Sequence, residues 1–216
     1  MSRFGLVLAG GASRRMGVDK AALDIGGVPL LRHVLSVVQS VPGIGEVAVV
    51  GGRNRSFPGM ESTTFVVDEW PGEGPLGGLV SGLRYVSTQH GASASVVVVS
   101  CDLPCLRADA LLELVEALES PGETVSHDAV VSLLDGRRQP LHGAYMSRSV
   151  EVLTESFEAG NRRLEAALAG LGVSELPDIL GSCRDADTPE EWAKLVPKSA
   201  DLQKRSDKGV TFRPYE

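Results

Sequence analysis

The stretch "LVLAGGASRRMGVDKAAL", Leu6 to Leu23, opens on an apolar run that breaks at Gly10-Gly11. Arg14, Arg15, Gly17 and Lys20 follow before apolar residues resume. Glycines let backbone amides approach a phosphate closely, and successive amides form an anion-binding concavity. Arg15 and Lys20 add charge-assisted contacts suited to a polyphosphate. The stretch is not a P-loop, because Gly17 is followed by Val18 and Asp19 where Lys and Ser or Thr are required. Nor does it hold the G-x-G-x-x-G of a dinucleotide site. On these residues alone, the alternative is an exposed basic loop.

Outward from this stretch, short apolar runs alternate with helical patterns. "FGLVLA" (Phe4 to Ala9), "EVAVVG" (Glu46 to Gly51), "TFVV" (Thr64 to Val67), "SVVVVS" (Ser95 to Ser100) and "DAVVSLL" (Asp128 to Leu134) read as strands. Four or five consecutive apolar residues suit strands buried on both faces, as in a parallel sheet. Between them, Pro29–Val41, Leu76–Gln89 and Arg107–Ser120 carry apolar residues at three- and four-residue spacing. The alternation predicts an α/β fold, Rossmann-like, with a mostly parallel central sheet flanked by helices. Beyond Gln139, "PLHGAYM" reads as one more strand, with helices near 149–158, 162–169 and 188–196. No linker-like break appears, so residues 1–197 are expected to form one domain. Residues 198–216 lose hydrophobic periodicity and read as a C-terminal tail of undetermined order.

Composition narrows the partners. The 216 residues are 43% hydrophobic and 23% charged, ordinary for a globular protein with a sizeable core. Net charge is −7 and the cations lie in short patches, which argues against a nucleic-acid binder. No signal-like segment or apolar run of spanning length occurs, and membrane association is not expected. Cys101, Cys105 and Cys183 match no zinc spacing and are expected to be reduced. A cytoplasmic protein is the expectation.

Ligands of such sheets bind beyond the carboxyl ends of the strands, where two further loops stand out. "DEWPGEGPLGGL", Asp68 to Leu79, is rich in Gly and Pro and ends a strand before opening a helix. Asp68 suits a nucleobase edge, or else belongs to a solvated helix N-terminal turn. In "VVVVSCDLPCL" a wholly apolar strand leads to Asp102. A carboxylate there suits Mg²⁺, which takes oxygen ligands and bridges phosphate oxygens. Its alternative role, a helix cap, is disfavoured by Pro104 and Arg107, which set the helix start several residues later.

Together these loops resemble the molybdenum cofactor guanylyltransferases, the MobA-like NTP transferase family. "LAGGASRRMGVDK" fits the family signature L-A-G-G-x-S-x-R-M-G-x-D-K throughout. "GPLGGL" (Gly74 to Leu79), "CDLP" (Cys101 to Pro104) and "DADTPEEW" (Asp185 to Trp192) resemble its later motifs, in order. The resemblance implies GMP transfer from GTP to the terminal phosphate of molybdopterin (Mo-molybdopterin), with release of pyrophosphate. Arg15, Lys20 and Asp102 would then carry the chemistry, with Mg²⁺ on Asp102. Leu8, Ala9, Gly10, Gly11, Ser13, Gly17, Asp68, Gly74, Pro75 and Leu76 would complete the nucleotide site. Other molybdenum-cofactor biosynthesis proteins and recipient molybdoenzymes are the protein partners that the resemblance brings.

Related cytidylyltransferases read L-A-A-G where this chain has Leu8-Ala9-Gly10-Gly11, and they lack the second motif; both features favour guanine. Two departures stand against the family pattern. An Asn common at the end of the second strand is replaced by Gly51-Gly52, with Asn54 beyond. Some members have Asn where Asp185 and Asp187 occur; these either bind metal or cap the helix at Thr188-Pro189. Arg137, Arg138, His142, Arg162 and Arg163 are either cations for the acceptor phosphate or a solvated face. The rival readings are a nucleotidyltransferase for CTP or another acceptor, and a non-catalytic nucleotide-binding protein.

Overall fold

A computed structural model describes residues 1–10, 19–51, 58–120, 127–186 and 188–196. The apolar runs form strands β1 (Arg3–Leu8), β2 (Ile44–Val50), β3 (Thr64–Val66), β4 (Ser95–Ser100) and β5 (Ala129–Leu134). β6 (Arg137–Met146) and β7 (Val173–Pro177) complete a sheet of order β3-β2-β1-β4-β6-β5-β7. β1 pairs in parallel with β2 and β4, and β2 with β3. β6 runs antiparallel to both β4 and β5, whereas β7 is parallel to β5. The doubly wound α/β reading therefore holds, with one reversed strand.

Both faces of the sheet are buried, which explains the unbroken apolar runs. Along β1, Phe4, Leu6 and Leu8 enter one core while Val7 enters the other. Along β4, Val96 and Val98 alternate in the same way with Val97 and Val99. Helices α1 (Leu30–Gln39) and α3 (Ala108–Glu119) cover the Val7 face. Helices α2 (Pro75–His90), α4 (Val150–Glu158) and α5 (Leu164–Leu168) cover the Leu6 face. The last helix, α6 (Pro189–Leu195), follows the closing motif.

α2 approaches the sheet most closely at Gly82, among its buried Leu76, Leu79, Leu83 and Val86. A Cβ on Gly82 would come within 2.8 Å of Leu6 Cδ1 and 2.9 Å of Val50 Cγ2. On Gly77 it would stand 3.1 Å from Trp70 Cβ, in the loop that precedes the helix. Gly82, just beyond the second motif, therefore serves helix–sheet packing, whereas Gly77, within it, lets the start of the helix pack on the Trp70 loop.

β7 escapes the periodicity reading. Its residues, "VSELP", are half-buried or exposed, and it lies on the sheet edge, where Pro177 removes no ladder bond that matters. β6 carries a bulge: β5 steps from Val131 to Ser132 while its partner steps from Gly143 to Gln139. Pro140, Leu141 and His142 fill the gap, and the Tyr145 hydroxyl donates to the Pro140 carbonyl at 2.7 Å. Cys101 and Cys183 are buried and Cys105 is half-buried. Among the described residues, no helix is long and apolar enough to cross a membrane.

Candidate active site

The parallel strands end level with one another. Backbone bonds continue just past them: Ala9 N–H to Val50 O (2.9 Å), Gly51 N–H to Val66 O (2.9 Å) and Cys101 N–H to Leu8 O (3.1 Å). The loops carrying Gly10, Asp68 and Asp102 therefore leave the sheet along one edge. Ala9 and the side chain of Leu8 are buried, whereas Gly10 is exposed. Leu76 is also core, in the cluster that holds Leu8. Gly74 and Pro75 are exposed at the start of α2.

Asp68 meets two of the motifs. A Cβ at Gly10 would stand 3.5 Å from Asp68 Oδ2, and one at Gly78 would stand 3.9 Å from it. The other oxygen, Oδ1, accepts from the Trp70 N–H at 3.0 Å and fixes the carboxylate in the turn. Asp68 is not the cap of α2, whose cap position is Gly74. Gly51 closes the same edge from β2. Its φ of +74° is left-handed, and a Cβ there would lie 3.3 Å from Gly10 Cα and N. Glycine thus fits where the family often has Asn; Gly52 and Asn54 lie outside the described residues.

Lys20 and Asp102, 82 positions apart, form an ion pair, Nζ to Oδ2 at 3.4 Å, with side chains only 12% and 26% exposed. Lys20 begins a 3-10 turn (Lys20–Ala22) whose preceding residue, Asp19, accepts from the Ala21 N–H at 3.1 Å. Asp102 lies beyond β4 in a loop that reaches α3 only at Ala108, so it does not cap that helix. His33, on α1, hydrogen-bonds the Pro104 carbonyl beneath this loop, and its burial lowers the imidazole pKa. Gly11, Ser13, Arg15 and Gly17 lie outside the described residues, as do Arg14 and Met16.

The residues read as either acceptor-phosphate cations or a solvated face divide in the structure. His142 is not a cation. It is 1% exposed, and its Nδ1 and Nε2 lie 2.7 and 2.8 Å from Ser132 Oγ and Ser182 Oγ. His142 stays in register with β4, opposite Val99, and so shares the core face of Ala144 and Met146. Arg138 pairs with Glu175 (2.6 Å) and Glu165 (3.2 Å). Arg162 pairs with Glu73 at 2.7 Å, donates to the Phe157 carbonyl at 2.8 Å and covers the Phe157 ring at 4.0 Å. Through Glu73, Arg162 ties the Asp68 loop to the α4–α5 connection, a link no local pattern announces. Arg137 and Arg163 are exposed.

Thr188, not Asp185, caps α6. Its hydroxyl accepts from the Glu191 N–H, and the Glu191 carboxylate accepts from the Thr188 N–H, a complete capping box. Asp185 is exposed, and Asp187 lies outside the described residues.

His142 makes a pH prediction. Burial brings its pKa down to about 4, against the attraction of Asp178. The unfolded chain takes this proton near pH 6.5, so the contribution is complete above pH 6.5 and is lost as pH falls from 6.5 to 4. Between pH 7 and pH 4 the wild type should lose about 3 kcal/mol that His142→Asn does not lose. Urea unfolding of both proteins across that range measures it; parallel curves would show that His142 does not titrate so low. Asp178, which burial pushes up but the hydrogen bonds from Cys183 and Ser182 together bring below its ordinary 3.8, loses its contribution as pH falls below that value, outside this window.

A doubly wound sheet with glycine, a lysine and two carboxylates gathered at its carboxyl edge is a nucleotide-binding architecture. The comparisons with known proteins specify it. Residues 5–175 match the model of the MobA-like NTP transferase domain. A "Probable molybdenum cofactor guanylyltransferase" of Natronomonas pharaonis is 35% identical over 204 residues, covering 88% of this chain and 94% of the relative. The "Molybdenum cofactor guanylyltransferase" of Albidiferax ferrireducens is 32% identical over 173 residues, 75% and 78% of the two chains. In fold, the chain is similar to molybdopterin-guanine dinucleotide biosynthesis protein A of Archaeoglobus fulgidus. That likeness has a TM-score of 0.71 at 22% identity and covers 94% of this chain and 99% of the other. The chain belongs to the MobA-like NTP transferase family.

Proposed function

We propose that this protein is a Mg²⁺-dependent molybdenum cofactor guanylyltransferase. In this reading the terminal phosphate of molybdopterin attacks the α-phosphorus of GTP. A P–O bond forms, the bond to the β-phosphate bridging oxygen breaks, and pyrophosphate leaves. The observation that carries the reading is the carboxyl edge itself, where Asp68 stands over Gly10 and Gly78 while Lys20 pairs with Asp102 at 3.4 Å.

The nucleotide's base and ribose are assigned to Leu8, Ala9, Gly10, Gly11 and Asp68, with Gly74, Pro75 and Leu76 opening the helix beside them. The Gly10–Gly11 amides, Ser13, Arg15, Gly17 and Lys20 are assigned to the triphosphate. Lys20 would leave Asp102 for the β- and γ-phosphates and hold the departing pyrophosphate. The attacking phosphate is already an anion, so no side chain is needed as a base. The residues' work is to neutralise repulsion between two polyanions and to align the attack.

The donor set suits magnesium. Among the described residues no three His, Cys, Asp or Glu side chains cluster as a metal cage. Mg²⁺ is commonly held by one or two carboxylates together with substrate phosphates and water, which a lone Asp102 satisfies. Bound there, the ion would neutralise charge on the phosphate oxygens.

Turnover of GTP against CTP with molybdopterin and Mg²⁺ tests the assignment. A strong preference for GTP is expected, with pyrophosphate and the guanine dinucleotide formed in equal amounts. Faster turnover of CTP would move the chain to the cytidylyl reading, and turnover of neither would favour a non-catalytic nucleotide binder.

A further inference from the structure

A line of three buried polar side chains lies behind the Asp102 loop. The loop spans Cys101 to Arg107 between β4 and α3. It is tied at its start by the Cys101 N–H on the Leu8 carbonyl and at its end by the Arg107 N–H on Ser182 Oγ, 3.0 Å away. Ser182 comes from the segment after β7, 75 positions further along the chain. Its own N–H is held by Asp178 Oδ1 at 3.0 Å, and its hydroxyl meets His142 Nε2, whose Nδ1 meets Ser132 of β5. Ser132, His142 and Ser182 are 3%, 1% and 0% exposed.

Burying three polar side chains is costly unless each is satisfied, and apolar residues would pack this space at less cost. What apolar residues cannot do is fix a backbone amide. Arg107, at the cap position of α3, makes no side-chain cap bond, and its N–H is instead held from outside the helix. The direction of the bonds is consistent. Ser182 Oγ accepts from Arg107 and can donate to Nε2, leaving neutral His142 to donate from Nδ1 to Ser132.

We infer that Ser132, His142 and Ser182 are positioning residues for Asp102, a relay from the reversed strand that holds the end of its loop and keeps its carboxylate fit for metal and nucleotide. The inference rests on Asp102 as a ligand of the metal–nucleotide complex. It gives a role to a histidine that lies near Arg137 and Arg138 in sequence yet is buried on the face of Ala144 and Met146. The three residues reach Asp102 through the backbone of its loop, via the Arg107 amide, so the effect expected is at the low end of the roughly tenfold to hundredfold that direct hydrogen-bond partners of a metal ligand supply.

Mn²⁺ binding in the presence of GTP, followed by electron paramagnetic resonance, provides the test, alongside the KM for Mn²⁺ and kcat. Ser182→Ala should weaken Mn²⁺ binding about tenfold and raise the KM for Mn²⁺ by a similar factor, with kcat at saturating metal changed much less. Ser182→Thr, which keeps the hydroxyl, should restore most of the affinity. Ser149→Ala is the control: it removes another buried hydroxyl, bonded to the Asp128 carbonyl at 3.0 Å and remote from the loop. If Ser182→Ala binds Mn²⁺ as tightly as Ser149→Ala, and differs from wild type in melting temperature alone, the relay is only structural. Asp102→Asn separates the two ideas. If it too leaves Mn²⁺ binding unchanged, the metal role of Asp102 fails and the relay falls with it. If it abolishes binding while Ser182→Ala does not weaken it, the relay alone is wrong. Should Ser182→Ala not fold, Ser132→Ala, at the far end of the line, is read by the same measurements.

Discussion

Asp102→Asn is expected to lower kcat/KM for GTP about a thousandfold while the protein stays folded. Asn keeps the shape of the side chain and removes its charge. The position gives that charge its leverage: β4 is apolar and buried up to Val99, and Asp102 emerges beyond it at the edge where ligands of such sheets bind. A metal held there supplies several kcal/mol of charge stabilisation, and each tenfold in rate is about 1.4 kcal/mol. Stability should hardly move. The Lys20–Asp102 pair is partly exposed and long at 3.4 Å, and such pairs contribute about 1 kcal/mol or less. Steady-state kinetics with thermal melting checks both halves. Activity within threefold of wild type would remove Asp102 from the chemistry.

Much of this arrangement is legible in the chain because its signals are local. Runs such as "SVVVVS" are strands buried on both faces, and Leu76–Gln89 and Arg107–Ser120 lie within two residues of α2 and α3. The strand-end rule then places Gly10, Asp68 and Asp102 on one edge before any contact is known. Pairings across the fold are another matter. Nothing near Lys20 points to a residue 82 positions away, and nothing near Arg107 points to Ser182. β7 is hidden because an edge strand with one exposed side carries a weak pattern and tolerates Pro177. His142 shows how proximity in sequence misleads. Its neighbours Arg137 and Arg138 suggest a cationic patch, but a three-residue bulge against β5 separates them from His142, whose pairing with Val99 of β4 puts the imidazole on the core face of Ala144, where burial keeps it neutral. The closing motif shows a subtler failure, since the Asp residues drew attention away from Thr188, the residue that caps α6.

Lys20→Met carries the second large effect, a fall in kcat of about a hundred- to a thousandfold. Lys20 has a fixed base: the Asp19 cap and the 3-10 turn set its backbone, and Ala21, in the same turn, is fully buried against the core of α1. Its ammonium can swing between Asp102 and a polyphosphate because only the flexible stem must move. A donor aimed at charge that develops in the transition state is typically worth a factor of 10² to 10³, and departing pyrophosphate is such a charge. Met keeps the length and apolar stem of the side chain, so the loss measures the cation. Arg should rescue poorly, because a planar fork does not replace a compact point charge in a turn built around Lys. The signature is a loss concentrated in kcat, with the KM for GTP rising by a smaller factor, since charge at the leaving group grows as the bond to it breaks. A variant that lost only GTP affinity, with kcat intact, would make Lys20 a ground-state binding residue and shift the leaving-group role to Arg15. In the free protein, Lys20→Met also leaves Asp102 without its partner at 3.4 Å, so Mn²⁺ binding without nucleotide should tighten while turnover falls. Opposite signs in those two measurements are what a lysine shared between a metal ligand and a phosphate must produce.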